Sequence, residues 1–120
     1  MMAFSNSDKQ DVIRRLLVTK QKAHILEISL RFKGQNEQAE EVAQKARELS
    51  DQIHLLLGQV MVAWLGQAET ILQEIQKANA ALQASIRQIQ NEVNIAQNLV
   101  KAIGFVDDVV RIAARIAATF

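Results

Sequence analysis

Val42, Ala46, Leu49, Ile53, Leu56, Val60 and Ala63 recur at alternating steps of four and three residues. This spacing is the seam by which α-helices pack side by side at a small crossing angle. It resumes, displaced by one position, at Ala68, Ile71, Ile75, Ala78 and Leu82, and runs on through Ile86, Ile89, Val93, Ala96, Val100 and Ile103. A chain carrying such a pattern over half its length has to bury one side of long helices. Nothing in the sequence opposes that: there is no proline, the strongest helix breaker, among its 120 residues. Alanine, leucine, glutamine, glutamate, lysine and arginine dominate, and these are good helix formers. The expected fold class is all-α, as a single helical domain over residues 1–120.

Turn signals divide the chain. Ser7 and Gln10 have the spacing of a capping box, so a first helix is expected over about 7–33. Its apolar residues, Val12, Leu16, Ala23, Leu26 and Leu30 with Ile13, Leu17, Ile25, Ile28 and Phe32, read as one broad stripe. Gly34 suits the left-handed residue that closes a helix, and Asn36 suits the cap of the next. Glu37, Glu40 and Glu41 fall in that helix's first turn, where the helix dipole favours anions. So short a link makes the first two helices antiparallel neighbours. Residues 1–34 are net basic and residues 35–66 net acidic. That favours the pairing modestly, since an exposed ion pair is worth only ~0–1 kcal/mol. Gly66 and Gly104 mark further ends, giving helices over 36–64 and 67–103. Asp107 is placed to cap a short fourth helix over 106–119, with an i,i+4 partner in Arg111.

The expected architecture is therefore an antiparallel bundle of three long helices plus a short C-terminal helix. The alternative is one central helix over 36–103 in a dimeric, coiled-coil-like bundle. The alternative arises because no Ser, Asp, Asn or Pro lies between Asp51 and Thr70 to serve a turn at Gly66. The window HLLLGQVMVAWLGQA, residues 54–68, is the most apolar in the chain. It is too short for a membrane span, which needs about 20 apolar residues, and it includes His54 and Gln59.

The candidate chemistry is sparse. There is no cysteine, hence no disulfide framework or thiolate metal site. His24 and His54 lie on helices whose antiparallel register keeps them apart, and neither belongs to a Glu-x-x-His or His-Glu-x-x-His pattern. Glu40-Glu41 and Asp107-Asp108 are adjacent pairs whose side chains diverge on a helix, in places that capping explains. No glycine-rich phosphate loop or nucleophile elbow is present. No catalytic residue, metal ligand, cofactor or small-molecule substrate is expected, and the chain reads as a non-enzyme. The basic cluster of helix one lacks interleaved aromatics and the net charge is only +1, so nucleic acid is an unpromising partner.

What remains is an interaction or structural module, self-associating or docking a partner helix. Gln76, Gln83, Gln90, Asn94 and Gln97 form the candidate partner face, because charge is depleted there, as it is at interface cores. The second reading is a membrane-active or signal-less secreted helical protein, with Trp64 and Gly66 as a turn or membrane-sensitive region. Trp64-Leu65-Gly66 resembles the Trp-x-Gly turn of the small helical-hairpin substrates of type VII secretion, a cysteine-poor family with that motif mid-chain. The resemblance implies export without a cleaved signal. The chain departs from that family in its extra N-terminal helix and in having no tyrosine, the residue that begins the family's tail signal. The segment MMAFSNSDKQ does not read as a secretory signal, and a cytoplasmic setting is the expectation.

Overall fold

A computed structural model describes residues 6–58 and 68–116, which form four α-helices of similar length. They are α1 (Asn6–Phe32), α2 (Asn36–Gly58), α3 (Ala68–Gln90) and α4 (Ile95–Ile116). The molecule is a slender bundle of 47 × 21 × 18 Å. The expected short fourth helix is thus a full-length one of 22 residues. The continuous helix over 36–103 is excluded, because α3 stops at Gln90. Trp64 and Gly66 lie outside the described residues.

The α1–α2 turn forms where glycine marked it. The N–H of Gln35 donates to the carbonyl of Leu30 at 2.8 Å and that of Gly34 to Arg31 at 3.1 Å, with Gly34 at φ +78°. These two bonds make a Schellman close, which needs a left-handed residue at the position of Gly34. The cap position of α2 falls on Gln35, not on Asn36, since the Gln35 carbonyl accepts the first helical bond from Ala39.

The α3–α4 turn has the same wiring without glycine. The N–H of Val93 reaches the carbonyl of Gln88 at 2.9 Å, and that of Glu92 reaches Ile89 at 3.0 Å. Glu92 takes the left-handed position at φ 61°, and Asn94 follows at φ 45°. Asn98 then ties the turn to α4: its backbone N–H and its amide Nδ2 donate to the carbonyls of Asn94 and Val93, each at 2.9 Å. Val93, expected in the seam, is therefore exposed at the turn. Gly104 and Asp107, expected to end and begin helices, both sit inside α4.

The helices alternate in direction, but their order around the bundle is α1, α2, α4, α3. Antiparallel neighbours are α1 with α2 and α3 with α4, as the Arg31–Glu40 and Glu74–Arg115 pairs show. Parallel neighbours are α1 with α3 and α2 with α4, and α2 and α3 face each other across the diagonal. The structure is two helical hairpins laid side by side with like-directed helices in contact.

Each helix contributes one stripe to the core, and the core falls into two clusters. One, at the end away from the turns, centres on Leu16, Leu49, Ile53, Leu56, Ile75, Val109 and Ile116. The other, beside the turns, centres on Leu26, Leu30, Val42, Leu82, Ile86, Ile89 and Leu99. Burying a side chain of this size is worth ~1.5–3 kcal/mol, so these two clusters supply most of the drive to fold. Between them lies a polar layer. Thr19, fully buried, donates its hydroxyl to Asn79 Oδ1 at 2.5 Å, and Asn79 Nδ2 donates to the Arg15 carbonyl at 3.1 Å. A buried polar pair loses its partner if the helices slide, so it sets the register of α1 against α3.

Candidate interaction surface

The broad apolar stripe expected on helix one is two stripes on opposite sides. At about 100° per residue, Val12, Leu16, Thr19, Ala23, Leu26 and Leu30 fall within one arc of roughly 80°. These residues are fully buried. Leu17, Gln21, Ile25, Ile28 and Phe32 fall within a second arc of similar width, diametrically across the helix. There Leu17, Ile25 and Ile28 are about half exposed and Phe32 is 93% exposed. The first stripe meets the bundle; the second meets nothing among the described residues. One helix of the four is therefore apolar on both faces, a pattern expected of a helix surrounded by neighbours.

The edges of this outer face are basic and tied into the bundle. Arg15 donates to Gln76 Oε1 on α3, and Lys22 donates to Gln83 Oε1 at 2.5 Å. Lys20 reaches Ser50 on α2 at 3.3 Å. Arg31 lies 3.1 Å from Glu27 and 3.3 Å from Glu40. Glu40 also holds Arg47, and hydrogen bonds from Arg47 and then Arg31 keep its carboxyl below the usual carboxylate range. His24 is 68% exposed and 4.0 Å from Glu27.

The five residues of the expected partner face fall on three elements: α3, the α3–α4 turn and α4. Gln76, Gln83 and Gln90 do line up along α3, but on its border with α1. There they meet Arg15, Lys22 and Ser29, the last at 3.4 Å from Gln90. Gln76 and Gln83 accept through their carboxamide oxygens from Arg15 and Lys22, and Gln90 Nε2 donates to the Ser29 hydroxyl. Asn94 belongs to the second turn, and Gln97 is exposed in the first turn of α4. The separation follows from the helix break at 91–94. The sequence held a signal for the actual outer stripe, since the eleven apolar residues of α1 spread over far more than the single arc a surface helix needs.

The Asp107–Asp108 pair lies on α4. Asp107 joins the hairpins: Lys45 on α2 donates to it at 2.9 Å, and Arg111, its expected i,i+4 partner, lies 2.9 Å away. The Lys45 hydrogen bond holds the Asp107 carboxyl below its ordinary value and raises the Lys45 ammonium above its own. Asp108 borders a cleft between α3 and α4, floored by Ala78, Ala81, Phe105 and Ile112 and crossed at one end by the Glu74–Arg115 bridge at 2.8 Å. No group of three His, Asp or Glu side chains is arranged to hold a metal ion among the described residues. Among them too, no helix is long and apolar enough to cross a membrane. Compared with protein-family models, curated proteins and solved structures, the chain matches none.

Proposed function

We propose that this protein is a non-catalytic interaction module, a helical bundle that uses its surface to bind another helix or a second copy of itself. The observation that supports the reading is the outer face of α1, where four large apolar residues stand open to water at helix-packing spacing. Such residues gain ~25 cal/mol for each Å² of apolar surface a partner covers. Asp107, Glu40, Arg31, Lys45 and Arg115 are tied up in ion pairs between and along helices, which is the use a binding scaffold makes of them. A cytoplasmic setting belongs to the same proposal.

The test is association measured with the face intact and spoiled. Light scattering and titration with helical peptides should show a complex with the natural chain. The Ile25→Glu/Ile28→Glu double variant, altered only at exposed positions, should lose it while keeping its far-UV spectrum. A chain that stays monomeric and binds no helical peptide removes the reading. The membrane-active alternative draws on Leu55 and Leu57, both about half exposed near the end of α2. Flotation with vesicles checks it, and a chain left in the pellet fraction excludes it.

A further inference from the structure

Resting on the interaction-module reading, the inference concerns what kind of chain the outer face of α1 accepts. The face is a seam of defined period. Arg14, Val18, Gln21, Ile25, Ile28 and Phe32 follow one another at steps of 4, 3, 4, 3 and 4 residues. These are the a and d positions of a heptad, the spacing that admits one helix lying alongside another. The seam runs ~27 Å along α1 at 1.5 Å per residue. Its arc is narrow and has Gln21 at its centre. A helix lying in a lipid surface presents a wider apolar side, so a single helix fits this face better than a bilayer does.

The residues beside a seam choose the partner. Here one flank carries Arg15, Lys22 and Ser29, and the other Leu17, His24 and Arg31. Over residues 15–31 the flanking positions themselves are free of carboxylates, and the acid beside them is Glu27, 4.0 Å from His24 and 3.1 Å from Arg31. Two copies of α1 packed antiparallel about a two-fold axis would set Lys22 against Lys22, with no acid beside it, and His24 against His24, with only the Glu27 that Arg31 already shares. Packed parallel, they would set Lys22 against Leu17 and Ser29 against His24, with no opposite charges meeting. Within the chain, Arg15 and Lys22 donate to neutral carboxamides, Gln76 and Gln83, which leaves their charge unneutralised. The second flank differs: Arg31 is already shared between Glu27 and Glu40, and His24 lies 4.0 Å from Glu27.

We propose that the outer face of α1 docks an amphipathic helix of another protein whose own seam is flanked by glutamate or aspartate. Val18, Ile25, Ile28 and Phe32 bury its apolar side, and Arg15, Lys22 and His24 meet its carboxylates. The basic flanks both attract this partner and discourage pairing between two copies of the chain.

The experiment uses the full chain and two synthetic helical peptides of about four heptads, identical at a and d. One has glutamate at every flanking position and the other lysine. Fluorescence anisotropy should show the glutamate peptide binding at least about tenfold more tightly, with the preference shrinking as salt rises from about 50 to 500 mM. Ile25→Glu/Ile28→Glu should abolish that binding with the melting profile retained. Lys22→Glu/His24→Glu, which leaves the apolar seam whole, should turn the preference toward the lysine peptide. Equal binding of the two peptides, or binding untouched by the seam variant, overturns the proposal. So does flotation with phosphatidylglycerol vesicles that the seam variant abolishes. A dimer in light scattering that the seam variant dissociates also overturns it, while leaving the broader interaction reading standing. A monomer that binds neither peptide removes both.

Discussion

The two hairpins close with the same pair of backbone hydrogen bonds and opposite choices of residue. At the α1–α2 turn the left-handed position is Gly34; at the α3–α4 turn it is Glu92, with Asn94 also at positive φ two residues on. A side chain at such a position costs ~1–2 kcal/mol, and glycine escapes that cost. The first turn is thus favoured by its own residues. The second is held by what surrounds it: Ile89 and Leu99 buried on either side, Asn98 bonded across it, and Lys33 paired with Glu92 at 3.2 Å. Local chemistry and tertiary packing reach one geometry by two routes.

That difference can be probed from both sides. The largest effect belongs to packing. Leu30→Ala and Ile89→Ala, at fully buried sites next to the two turns, should each cost ~2–5 kcal/mol in denaturant unfolding. Ile89→Ala should also expose the second turn to faster amide exchange at Val93 and Asn98 more than Leu30→Ala does at Gln35. Equal exchange at the two turns would mean that packing does not hold the second one. Next, Gly34→Ala should lower stability by ~1–2 kcal/mol, although its added methyl meets nothing within 4 Å, because the penalty is conformational.

Smaller changes go the other way. Gly104 lies inside α4 with open space where a Cβ would stand, so Gly104→Ala should raise the melting temperature by an amount worth ~0.5–1 kcal/mol. Glu92→Gly should stabilise the second turn by a few tenths of a kcal/mol to ~1, once loss of the exposed Lys33 pair is subtracted. A destabilised Glu92→Gly would show that the ion pair outweighs the backbone strain.

The link between the hairpins adds a pH signature. Asp107 has its folded pKa lowered, chiefly by the Lys45 hydrogen bond, so its contribution is present above the unfolded carboxylate value of ~3.9 and is lost as pH falls through the lower folded value. Lys45 has its folded pKa raised, chiefly by the same bond. Its contribution is present below ~10.4 and is lost as pH climbs through the raised value. The part of the stability due to this pair should therefore be flat between those limits and fall outside them. In Asp107→Asn the part of both slopes due to this pair should disappear.

The same contrast explains what could be read from the sequence. The start of α2 and the turn at Gly34 were legible because glycine announces a left-handed residue. Gly104 misled for the same reason: it announces an end that buried Ala102, Val106 and Val109 override. The break at residues 91–94 was hidden because Glu92 has no such preference and Asn91 and Asn94 pass for surface. Once that break is missed, Asn94 and Gln97 fall onto the helix of Gln76, Gln83 and Gln90, whereas the structure puts the first two in a turn and in α4 and the other three on the α1–α3 border. The outer stripe of α1 was visible residue by residue. It merges with the core stripe when apolar positions are taken without their angles.

The circuit α1, α2, α4, α3 has a consequence for how the chain assembles. Each hairpin brings together residues close in the chain, so either one can zip up quickly from its turn. The sideways meeting of the hairpins joins residues about sixty apart, as in Arg15 with Gln76 or Lys45 with Asp107, and has to wait for that larger loop to close. The Thr19–Asn79 contact sits on this late seam, where it acts as a latch that tells a correctly docked pair from one shifted by a turn.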